Sequence, residues 1–230
     1  LIGAIGDRQD TGAAPAIRKL AAGGPAEVRS AAIHALGQLV DVAGAAVLLD
    51  AAVSGDPALA EAAKASLIKL RGSAADEAVV AKMNRAAPAE RMVLLDLVGQ
   101  LAIPSATPAV LKAANDPDEQ VRLAAIKALG RVIGLTELEV LTERLREAKS
   151  PQEVAAVREA LKVACLRVPD PEACVGKLLE FLPNAPIASK CFVMELLASL
   201  GGTRALKAVS AAAGDPSEDL QDAATRALGT

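Results

Sequence analysis

Pro25, Pro57, Pro88, Pro117, Pro151, Pro186 and Pro216 follow one another at intervals of 32, 31, 29, 34, 35 and 30 residues along this 230-residue chain. A recurrence of about thirty residues restricts the fold to an array of stacked units, because a unit that short cannot bury an apolar face alone. Several of these prolines follow Gly or Asp: Gly24, Asp56, Asp116 and Asp215. A proline there stops one helix and is tolerated in the first turn of the next. Acidic residues just after it, such as Glu27, Asp118, Glu119, Glu153, Glu218 and Asp219, suit the positive end of a starting helix.

A second marker keeps the same period. Ala35-Leu36-Gly37-Gln38-Leu39 matches Leu97-Val98-Gly99-Gln100-Leu101 and Ala128-Leu129-Gly130-Arg131-Val132, with Ser199-Leu200-Gly201 and Ala227-Leu228-Gly229 repeating its core. Ile68 fills the slot between Gly37 and Gly99. Gly near a helix end is expected to supply a left-handed cap and a tight turn. Val121, Ala124, Ala125, Ala128, Leu129 and Val132 keep the three-and-four rhythm of a helix, and no stretch alternates as a strand would.

Each unit therefore reads as helix, turn, helix and a proline loop. The units fall at 1–23 (partial), 24–55, 56–87, 88–116, 117–150, 151–185, 186–215 and 216–230 (partial). The expected fold is all-α: one α-solenoid domain over 1–230, a right-handed superhelix of about seven stacked antiparallel helix pairs. The unit at 151–185 is the least regular, with Ala160-Leu161-Lys162 in place of the Gly motif. Helix pairs cut at both ends suggest a piece of a larger multidomain protein.

Composition explains how such an array packs. The chain holds 52 Ala but only two Phe and no Tyr or Trp, so its core must come from closely approaching small-faced helices rather than aromatic volume. Twenty-five basic against 28 acidic residues give no overall attraction to nucleic acid or an anionic membrane. No uncharged apolar run is long enough for a membrane span.

The segment Asp116-Pro117-Asp118-Glu119-Gln120-Val121-Arg122-Leu123-Ala124-Ala125-Ile126-Lys127-Ala128-Leu129-Gly130 resembles a HEAT repeat of the short bacterial type named after phycobilisome lyases, and Pro25 to Gly37 is nearly as close. The resemblance extends over the whole chain, weakly at 56–87 and 151–185. It implies a solenoid with first helices on the convex side and second helices on the concave side, and a module that binds proteins. It is specific for fold and unspecific for function.

Catalytic and metal-binding chemistry finds little support. His34, the only histidine, shares its slot with Ala65, Asp96, Lys127 and Arg226, the mixture of a solvated face. Arg29, Arg91 and Arg122 share another slot, where packing of the stem and pairing with loop acids such as Asp56 or Asp116 is expected. Cys165 and Cys174 flank a helix hairpin that could bring them close enough for a bridge, but buried free thiols are expected; Cys191 is the third. No catalytic residue, cofactor site or metal site is assigned.

Second helices carry Arg18, Lys19, Lys82, Arg85, Lys112, Arg144, Arg146, Lys149, Lys177, Arg204 and Lys207 against Asp50, Glu143, Glu147 and Glu180. Basic residues favour the ends of helices in any case. On the concave side they would also form a mildly basic groove, and Arg18, Lys19, Lys82, Arg85, Lys112, Arg144, Lys177, Arg204 and Lys207 are the candidate partner contacts. The expected function is a non-enzymatic interaction or scaffold module for an acidic protein or peptide, alongside other domains of the parent chain, with no nucleic acid and no membrane as partner. The alternatives are an accessory protein like the chromophore lyases or a nucleic-acid-binding HEAT-like protein; the first calls for aromatic and His contacts, the second for a basic channel and stacking aromatics. Compartment is open.

Overall fold

Asp56 accepts hydrogen bonds from the backbone N–H groups of Ala58 and Leu59 at 3.0 and 3.2 Å, and Pro57 is the first residue of the helix that follows. Ser150 before Pro151 and Asp170 before Pro171 start helices in the same manner. At Pro57 and Pro151 the periodic proline thus sits where a side-chain acceptor serves the first donors and a missing N–H does no harm, whereas Pro25 and Pro186 directly precede their helices without a side-chain cap.

The computed structural model describes residues 1–70, 72–148 and 150–229. Among them are fifteen α-helices and no strand. The first helices are α1 (Ile2–Asp7), α3 (Ala26–Leu39), α5 (Pro57–Lys69), α7 (Pro88–Leu101), α9 (Glu119–Val132), α11 (Pro151–Arg167), α13 (Ile187–Leu200) and α15 (Glu218–Leu228). Between them run the second helices α2 (Ala14–Gly23), α4 (Ala45–Ala52), α6 (Ser73–Arg85), α8 (Thr107–Ala113), α10 (Leu138–Glu147), α12 (Pro171–Phe181) and α14 (Thr203–Ala212).

Two compact units divide the chain, Leu1–Val121 and Arg122–Thr230. In the first, α3 packs on α1, α2 and α5, and α4 on α5. Its core is aliphatic, with Ile33, Leu36, Leu48, Leu94, Leu97 and Val98 fully buried. In the second, α10 packs on α11 and α12, while α13 packs on α14 and α15. Here Phe181 joins Leu141, Val157, Leu161, Leu178 and Leu197 in the core. Both units are all-α solenoid stacks.

The motif glycine does something other than cap. Gly37 lies inside α3, and a Cβ added there would stand 2.7 Å from the Cβ and Oγ of Ser66 on α5. Gly130 in α9 is held the same way, 2.7 Å from the backbone of Ala160 on α11. These glycines are contact points where one first helix touches the next. The left-handed residue is three positions later: Val40 after α3 (φ 51°) and Ala102 after α7 (φ 48°). Only at α13 does the motif glycine, Gly201, end the helix with positive φ (70°).

Candidate functional site

The second helices position most of the predicted cations, and the structure sorts these into two groups. Arg18 on α2 makes a two-pronged bond to Asp41 at 2.9 and 2.8 Å, and Lys82 on α6 reaches Asp50 on α4 at 2.6 Å. Arg144 lies 3.6 Å from Glu153, and Lys177 pairs with Glu180 at 2.9 Å within α12, which holds the ammonium above its ordinary lysine range. Arg204 on α14 donates to the Glu172 carbonyl at 3.5 Å. Arg18, Lys82, Arg144 and Lys177 are therefore neutralised by acids of the same chain, and Arg204 is held by a carbonyl.

The remaining four candidates differ. Lys19, Arg85, Lys112 and Lys207 are exposed and take part in no ion pair among the described residues. Lys19 belongs to α2, Arg85 to α6, Lys112 to α8 and Lys207 to α14, one cation on each of four second helices. Lys149 lies outside the described residues. Arg146 is tied to both carboxylate oxygens of Glu143 at 2.8 and 2.6 Å.

First-helix arginines have a packing role. Arg91 bonds Asp116 at 2.6 Å and donates to the Ala86 carbonyl at 2.9 Å, at the end of α6. Arg29 donates to the Ala21 carbonyl near the end of α2 at 3.4 Å. Each guanidinium satisfies a carbonyl that a helix terminus leaves free. The expected pairing with Asp116 is present at Arg91.

His34 is exposed on α3. Cys165 and Cys174 are unbridged and buried, close enough for their thiols to influence each other. The Cys174 thiol, together with burial, pushes Cys165 far above the ordinary thiol range, and the Cys165 thiol in turn lowers Cys174. Cys191 is half-buried, and its thiol lies 3.4 Å from the Asp219 carbonyl. Among the described residues no group of three His, Cys, Asp or Glu side chains converges to hold a metal, and no helix is long and apolar enough to cross a membrane.

Sequence reasoning missed one pattern. Both phenylalanines carry an arginine over the ring, Arg146 at 5.2 Å from Phe181 and Arg158 at 5.3 Å from Phe192. Each pair is about one repeat apart in sequence, so its only sequence signal is a repeat-length offset between Arg and Phe.

The family model for HEAT repeats matches residues 77–162. Over that span the chain is similar to HEAT repeats, and antiparallel helix pairs flank it within each unit. No curated protein matches the sequence. Among solved structures, the complex of CpcE and CpcF of phycocyanin lyase from Nostoc sp. PCC7120 is 18% identical, over 92% of this chain and 85% of that one, with a TM-score of 0.46. An engineered protein is 19% identical over 94% of this chain and 95% of its own, with a TM-score of 0.35. HEAT repeats point to a protein-interaction scaffold, the coarse class to which the fold leads.

Proposed function

We propose that the chain is a non-enzymatic protein-interaction module whose second helices present cations to an acidic protein or peptide surface. The observation that carries this reading is the set of exposed, unpaired cations Lys19, Arg85 and Lys112 on three second helices of the first unit; the second unit has one of its own, Lys207. An unpaired surface cation gives up little solvation when it meets a carboxylate, and several spaced contacts add steering and selectivity. Arg18 and Lys82, by contrast, already hold acids of their own chain and add less to a partner.

The test is fluorescence anisotropy with a labelled peptide of alternating Glu and Ser. The expected result is salt-sensitive binding that falls at least about tenfold when Lys19, Arg85, Lys112 and Lys207 are all changed to Glu. Binding that is absent, or equal in the parent and the fourfold variant, overturns the reading.

A further inference from the structure

Two crossings between first helices share one register: the twelfth residue of one helix lies against the tenth of the next. Gly37 of α3 meets Ser66 of α5, and Gly130 of α9 meets Ala160 of α11. Counting the same way between α11 and α13 gives Lys162 and Leu196. The same count at α5–α7 gives Ile68 and Leu97, so a large pair alone does not open a crossing; at α11–α13 the pair includes an exposed, charged side chain. At this step a groove of about 790 Å³ opens between the helices, with Lys162 and Leu196 both in its wall. The twelfth positions of α3, α5, α7, α9, α11 and α13 hold Gly37, Ile68, Gly99, Gly130, Lys162 and Ala198, so Lys162 is the one charged residue among them.

The lining has two parts. Val154, Phe192 and Leu196 form an apolar patch. Arg158 lies over the Phe192 ring, donates one N–H to the Ala188 carbonyl at 2.9 Å, and leaves its Nε–H without a partner. Lys162 is exposed and makes no ion pair among the described residues, although Glu159 and Glu195 share the lining.

We propose that this groove binds a short acidic–aliphatic segment of a partner protein. One aliphatic side chain lies on Val154, Phe192 and Leu196, and one carboxylate lies against Lys162 with Arg158 beside it. Glu159 and Glu195 repel a longer acidic run, so the segment carries a single carboxylate between apolar neighbours. The inference shares with the proposed function only the premise of a protein partner and uses none of the second-helix cations.

The probe is a fluorescein-labelled octapeptide with one Asp flanked on both sides by Leu; its controls carry Asn or Lys in place of that Asp. The Asp peptide is expected to bind at least about tenfold more tightly than the Lys peptide. Lys162→Glu should remove that preference. Lys162→Gly, which removes the charge and leaves the apolar patch in place, should bring the three peptides to similar affinity. The fourfold second-helix variant should bind the Asp peptide as the parent does, which separates failure here from failure of the proposed function. Both Lys162 variants alter an exposed side chain, and circular dichroism melts confirm that they fold. Equal affinity for the Asp and Lys peptides, or an unchanged preference in Lys162→Glu, overturns the proposal.

Discussion

The α3–α5 crossing in the first unit and the α11–α13 crossing in the second occupy the same place in the repeat and are built in opposite ways. At the first, Gly37 sits against the side chain of Ser66, whose hydroxyl donates to the Ile33 carbonyl at 3.0 Å. At the second, Lys162 and Leu196 stand at the equivalent positions beside an open groove. A solenoid can therefore lose the close contact at one step and keep its helices, because each repeat depends on its immediate neighbours alone. The cost is a gap in the stack; the consequence is a surface with both an apolar floor and a charge.

The largest effect should come from exchanging these two designs. Gly37→Lys forces a Cβ into Ser66 and should destabilise the protein by about 3 kcal/mol, read as a lower urea midpoint. Lys162→Gly should cost no more than about 1 kcal/mol, the helix-propensity loss of an interior glycine, since nothing is packed tightly there. If both cost the same, the two crossings are not the opposites described.

A smaller effect is expected at the turns. Val40 holds a left-handed conformation that a β-branched residue resists, and its side chain is 54% exposed, so little packing is lost with it. Val40→Gly should stabilise by about 1 kcal/mol, whereas Gly201→Val at the corresponding turn of the second unit should destabilise by a similar amount. Thermal melts of the two variants should move in opposite directions.

The smallest effect concerns Glu137 in the second unit. Bonds from the Thr136 side chain and the Gly134 N–H, the latter at 3.0 Å, hold its carboxyl below the ordinary value of 4.5. A depressed carboxyl stabilises the fold above its unfolded value and loses that contribution as pH falls through its folded value. Glu137→Gln should therefore cost less than about 0.5 kcal/mol at pH 6, the group being only partly buried and screened by solvent, and the gap should close below pH 4.5. Denaturant titrations at a series of pH values would show it; a gap that widens in acid would contradict the assignment.

Much of the fold is legible in the sequence, because proline and capping acids act on the residues beside them. Asp56-Pro57 and Ser150-Pro151 start helices wherever they occur, and the three-and-four spacing marks which face is buried. The misread glycine shows where this stops. Gly37 close to a helix end reads as a cap, yet its purpose is set by Ser66, a residue one repeat away. The candidate cations divide for the same reason. Arg18 and Lys19 are adjacent in sequence, but only the position of Asp41 decides that the first is paired and the second exposed.

The sequence by itself determined an all-helical array with a period near thirty residues, since helix starts, helix faces and chain stops are local effects of single residues. Tertiary structure alone decided which cations are unpaired, that Cys165 and Cys174 lie close without a bridge, and that Lys162 stands beside a groove instead of a neighbouring helix. Those outcomes depend on contacts between residues one repeat apart. A period in the sequence places such residues side by side, but the volume and charge of both partners decide whether the space between them closes.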